Sequence, residues 1–190
     1  MAAMSPSSDD PTAPEANSTG PVAMGFNDHR HCLDGWHALE TDARNGTRYR
    51  WTAARATLAM SAPGGRVRSV RVLAAGLAAL TGRPGGISAW WTPRPAAAAA
   101  GWSPERGDSR SVPLGHLPDA VPGDGWFLVD FPWPTGLAPG PGVLTLASGR
   151  MATDGTCGFA SDTVILDRLL RNGDHRRVGA MVGAVAFIAR

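Results

Sequence analysis

Apolar and polar side chains alternate with period two over most of the chain, and the places where the alternation slips are as informative as the runs themselves. In the stretch "HALETDARNGTRYRWT" (37–52), an apolar run ends on acids, a polar turn follows, and a second run begins. This reads as a β-hairpin. Tyr49, Trp51 and Ala53 face one way, and Arg48, Arg50 and Thr52 the other. The phase then shifts, so that Ala54, Ala56, Leu58 and Met60 form the apolar set, with Arg55 and Thr57 opposite. One extra residue near 52–54 predicts a β-bulge or a bent strand passing between two sheets. Further alternating runs follow. Val70 and Val72 point inward in "SVRVLA". "ISAWWT" sets Ile87, Ala89 and Trp91 against Trp90, and "GWFLVDF" sets Phe127, Val129 and Phe131 against Trp126, Leu128 and Asp130. "GVLTLA" is short and apolar. "VGAMVGAVAFIA" (178–189) is apolar on both faces, as a central strand would be. About eight strands separated by Gly/Pro loops predict an all-β fold, an antiparallel sandwich or barrel. "SDTVILDRLLRNG" predicts one short helix, N-capped by Asp162 and ended by Asn172-Gly173.

Punctuation sets the boundaries. Residues 1–24 carry Ser, Pro, Asp, Thr and Ala with few large apolar side chains, which predicts a disordered tail before a folded domain at 25–190. "PRPAAAAAGWSPERGDS" (93–109) and "PWPTGLAPGPG" (132–142) are too Pro-rich for central strands and read as loops.

Composition narrows the function. All 18 basic residues are arginine, net charge is only +2, and the arginines are spread along the chain. The small group Arg66, Arg68 and Arg71 suits one solvated strand face, so no nucleic-acid stripe is present. No segment reaches the roughly 20 apolar residues of a membrane helix. The N-terminus has no charged region followed by an apolar one. The expected location is the cytoplasm, or outside it by a route without a readable N-terminal signal. The two cysteines, Cys32 and Cys157, form no C-x-x-C and no disulfide framework, and their pairing is open.

Three short motifs carry a resemblance. "GWHALE", "RYRWT" followed by "ATLAM", and "GDHRRVGAMVGAVAF" resemble a recurring bacterial β-sandwich domain. Its pattern is G-W-x-x-x-E, then R-W-T before an alternating strand, then D-x-R-x-(L/V)-G before a last apolar strand. The matching positions are Gly35, Trp36, Glu40, Arg50, Trp51, Thr52, Asp174, Arg176, Val178 and Gly179, at the two ends of residues 33–190. Val178 stands where leucine is commoner. Such domains are similar to carbohydrate-binding jelly rolls and often accompany glycosyltransferase or cell-surface modules. The resemblance therefore implies a jelly-roll sandwich. It also implies pairing of the first and last strands, placing 33–40 beside 178–189. Asp174 and Arg176 would then tie the start of the last strand to Arg50 or Glu40, and Gly179 would admit a close neighbour.

Candidate chemistry is sparse. His29 and His31 would share a face on a strand, with His37 following, the start of a cupin-like metal set. No Glu stands four to five residues after His31, and the simpler reading is a polar junction before the first strand. No G-x-S-x-G elbow or P-loop occurs, and no cofactor motif is present. Seven Trp against one Tyr is the strongest functional signal. Trp36, Trp51 and Trp91 are expected in the core. Trp102 and Trp133 fall in loops, while Trp90 and Trp126 lie opposite the apolar sets, where they would stack on sugar rings or seal the sandwich edge. Arg94 and Asp130 would supply hydrogen bonds. The expected function is a non-enzymatic module that binds a glycan. The alternatives are a structural or protein-interaction module using the same aromatic patch, and a cupin-like metal enzyme.

Overall fold

The structure is a computed structural model that describes residues 19–75, 86–94, 111–117, 125–151, 159–161 and 163–190. Eight strands form two facing sheets: β3 (Arg48–Thr52), β4 (Arg55–Ala62), β5 (Val67–Ala75), β6 (Ile87–Pro93), β7 (Val112–Leu117), β8 (Phe127–Pro132), β9 (Gly140–Met151) and β13 (Met181–Ala189). The first sheet runs β3-β13-β5-β8 and the second β4-β9-β6-β7, with every pairing antiparallel. In chain order this is 1-8-3-6 facing 2-7-4-5, the double Greek key of a jelly roll.

Shorter strands decorate this frame: β1 (Val22–Ala23) on β13, β2 (Trp36–Thr41) outside β3, β10 (Phe159–Ser161) on β9, and the pair β11 (Val164–Ile165) with β12 (Arg177–Val178). Two helical turns complete the described elements, a 3₁₀ turn at Asp28–Arg30 and α1 at Asp167–Leu170.

The phase slip at 52–54 is the corner where the chain leaves the first sheet at Thr52 and enters the second at Arg55. The GW motif docks there. Ala53 N donates to Gly35 O at 2.7 Å, and Trp36 Nε1 donates to Thr57 O at 2.8 Å. Gly35 sits at φ +75°, and a Cβ on it would meet Arg55 O at 1.8 Å, so only glycine fits.

Side chains of both sheets share one core, including Val70, Val72, Phe131 and Val182 from the first and Leu58, Met60, Trp91, Leu144 and Leu146 from the second. Trp91, Trp133 and Phe187 meet edge-on at 5.4–5.6 Å. Each such pair adds about 0.5–1.5 kcal/mol beyond its area.

A polar knot ties the sheets at the start of β13. Ala180 N donates to Ser148 Oγ at 2.7 Å, Thr52 Oγ1 lies 3.4 Å from that hydroxyl, and Gly179 N donates to Thr52 O at 2.7 Å.

Several expectations change. The tail reading fails at its end: Val22 and Met24 are buried, and Val22 pairs with Val185. An edge of β13 needs a partner there, and the main chain of 22–24 supplies it while the Val22 and Met24 side chains join the core. Residues 1–18 lie outside the described residues. Residues 33–40 are not beside 178–189, because β13 pairs with β3 and β2 is one strand further out. The expected helix is a single turn without a side-chain cap. Val164–Ile165 pairs with β12 instead, and Asp162 lies outside the described residues. Trp90 and Trp133 are 5% and 7% exposed. Trp133 sits in its Pro/Gly loop but turns into the core, which leaves both rings little face for a ligand.

Candidate functional site

The outer face of the first sheet is half closed and half open. The segment 163–180 forms an arm that closes one half. Its Leu166 and Val178 pack on Tyr49, Trp51, Ala75 and Met181, a second small core outside the sandwich. Trp51 is therefore buried as expected, but beneath this arm rather than between the sheets. An acidic–basic latch holds the arm. Arg176 Nη2 lies 2.8 Å from Glu40 Oε1 and 2.6 Å from Asp174 Oδ2, and Tyr49 Oη donates to Glu40 Oε2 at 3.0 Å. Hydrogen bonds from the Arg176 side chain and backbone hold the Asp174 carboxyl down at about 2. Burial, reinforced by the charge of Glu40, pushes the Tyr49 hydroxyl up to about 12. Arg50 points the other way, to the buried carboxylate of Asp28 and to His37 O at 2.9 Å.

The open half is a strip built by three strands. Period two puts Trp126, Leu128 and Asp130 on this face. Register sets Leu128 beside Leu73 and Asp130 beside Arg71, with Ala184 and Ala186 of β13 next in the same rows. The alanines keep the surface low. Leu128 is 62% exposed, a large apolar side chain with little covering it. Arg71 and Asp130 pair through two parallel bonds, Nε to Oδ1 and Nη2 to Oδ2, both 2.7 Å. Each is about 40% exposed, so further donors of the guanidinium and lone pairs of the carboxylate remain open to a ligand. The hydrogen bonds within the pair lower the Asp130 carboxyl and raise the Arg71 guanidinium, so both stay charged.

Trp126 borders the strip. Its Nε1 donates to Asp42 Oδ2 at 2.9 Å, and its ring tilts against Tyr49 at 5.5 Å. Asp42 is held below the usual carboxylate range by hydrogen bonds from the Arg44 side chain and backbone and from Trp126. The indole is therefore fixed at its polar edge and half-buried.

Of the candidate ligand residues, the structure brings together Trp126 and Asp130. Arg94 follows β6 of the other sheet, with its N donating to Pro141 O, and lies away from them. Trp102 and Cys157 lie outside the described residues. Arg71, Leu73 and the small β13 residues complete the strip. The one sequence signal for Arg71 was its place on a solvated strand face.

His29 and His31 do not share a strand face, and of the three candidate histidines only His37 stands on a strand, β2. His29 is exposed in the 3₁₀ turn, buried His31 donates from Nδ1 to Ala59 O at 2.8 Å, and His37 Nε2 donates to Arg177 O at 3.1 Å. Among the described residues no three His, Cys, Asp or Glu side chains gather as a metal site. Cys32 is an unpaired thiol, pushed up to about 12 chiefly by burial and further by the charge of Asp28. Among the described residues no helix is long and apolar enough to cross a membrane. No protein-family model matches the chain, and no curated protein matches it.

Proposed function

We propose that this jelly roll is a non-enzymatic binding module and that its open strip takes a glycan. The observation that carries this reading is the exposed Leu128 beside Trp126, in register with the bidentate Arg71–Asp130 pair. A pyranose has an apolar C–H face and a hydroxyl rim. Leu128, Leu73 and the edge of Trp126 suit the first, and the unspent donors and acceptors of Arg71 and Asp130 suit the second. An accessory role beside cell-surface modules rests on the sequence resemblance alone.

The test is a glycan array probed with the full chain, followed by titration of any hit against Asp130→Asn and Leu128→Glu. Hydrogen bonds to a charged group are worth about 1.5–3 kcal/mol, so Asp130→Asn should weaken binding by roughly 10- to 100-fold. A blank array from a folded, monodisperse sample would sink the reading.

A protein-interaction module is the second reading. It is favoured by the same exposed leucine and by β8, which among the described residues has no partner on its outer edge. Concentration-dependent association that Leu128→Glu abolishes would select it.

A further inference from the structure

Beyond the strip, the same strands lead to a cleft at the end of the sandwich. It measures about 460 Å³ and is walled by the β4–β5 turn, the loop after β8 and the end of β13. Its walls are tied by main-chain bonds: Arg190 N to Arg66 O at 2.9 Å and Trp133 N to Arg68 O at 2.9 Å. The Trp133 indole braces the loop by donating to Leu137 O at 3.0 Å. The cleft is thus preformed, and a buried core side chain holds its shape.

Its lining combines an apolar floor, from Val67, Leu137 and the rim of Trp133, with the exposed arginines Arg66 and Arg190 and the Thr135 hydroxyl. No Asp or Glu side chain lines it among the described residues. Among the described residues, neither the Arg66 nor the Arg190 side chain has an ion pair or hydrogen bond, unlike the Arg71 side chain of the strip. Two unspent guanidinium forks over an apolar floor suit an oxyanion carried on a ring, since the fork matches a carboxylate or phosphate bidentately.

We infer that this cleft is a subsite for the carboxylate of an acidic sugar residue. The sugar part of this inference rests on the glycan reading of the strip. From Asp130 to the end of β8 at Pro132 the strand advances about 7 Å at 3.3 Å per residue, and the cleft opens at Trp133, so a short oligosaccharide spans both places.

The experiment uses matched pairs of glycans that differ at the carboxyl group: uronate oligosaccharides with their methyl esters, and sialylated chains with the methyl esters of their sialic acid residues. Inorganic phosphate serves as a further arm. The acidic member should bind about tenfold or more tightly than its neutral twin, with a steep loss in salt. Arg66→Gln and Arg190→Gln should each erase that preference and leave the neutral affinity and the melting temperature unchanged. Equal binding of the twins overturns the inference while the glycan reading survives. Binding of phosphate with no sugar preference also overturns it, as a simple anion site. Binding of no glycan of either charge overturns both readings.

Discussion

Gly179→Ala should be among the most damaging single-methyl additions the fold can receive. A Cβ at this position would stand 2.1 Å from Ser148 Oγ, 2.6 Å from Thr52 Oγ1 and 2.6 Å from Ala53 O. Ordinary contact needs about 3.5 Å, so each neighbour must retreat by roughly 1 Å. Ser148 and Thr52 could rotate away, but their hydroxyls are the two acceptors of the buried Ala180 N–H, at 2.7 and 3.0 Å, and displacing both orphans it. Ala53 O is main chain at the corner between sheets, with nowhere to go. Overpacking costs about 1–3 kcal/mol and an orphaned buried donor about 1–3 kcal/mol more, so the sum is roughly 2–6 kcal/mol. At about 2–4 °C per kcal/mol for a domain of this size, the melting temperature should fall by roughly 4–24 °C. The assay is urea unfolding followed by tryptophan fluorescence, with Gly179→Ala, Ser148→Ala and the double variant. Removing the hydroxyl relieves the nearest clash but not the one with Ala53 O, so the double variant should recover only part of the loss. A single variant within about 0.5 kcal/mol of the parent would refute the reasoning, because the close approach at the knot would then be soft.

The arm latch should be acid-sensitive. The Asp174 carboxyl is depressed in the folded chain, so its contribution is present above the ordinary carboxylate range and is lost as pH falls from about 3.8 toward about 2. Fluorescence of the Trp51–Trp126 cluster should change across that window, and Asp174→Asn should flatten the change. Arg176→Met should raise amide exchange in 163–178 while leaving β4 and β9 protected, as hydrogen exchange by mass spectrometry would show. Cys32 should react slowly with iodoacetamide at pH 8, because its thiolate forms only near pH 12; labelling as fast as that of an exposed peptide thiol would contradict its burial.

Much of the architecture was legible because the core imposes period two. The corner at 52–54, the register face of Trp126, Leu128 and Asp130, and the central place of 181–189 all follow from which side chains must be dry. Strand β7 was not legible, since Pro113 and Gly115 disguise it. Its place at a sheet edge is what makes that proline tolerable. The fate of the tryptophans was not legible either. Trp133 sits in a Pro/Gly loop, yet the loop folds back and turns the ring into the core, a choice made by Phe187 and Trp91 from distant strands. The strip joins 71–73, 126–130 and 183–186, and local pattern cannot report a juxtaposition across that much chain. The strip is visible only once β5 lies between β13 and β8.

The position of β13 has a kinetic consequence. Among the described strands it is the last to emerge during synthesis, yet it stands in the middle of its sheet, between β3 and β5. Until it arrives, both of those strands offer bare hydrogen-bonding edges, and the polar knot has no Gly179 or Ala180 to close it. Pairings across more than a hundred residues, such as Val182 with Arg50, make closure slow relative to local hairpins. The nascent chain therefore passes through a stage with one unfinished sheet, when its open edges are exposed to β-strands from other chains.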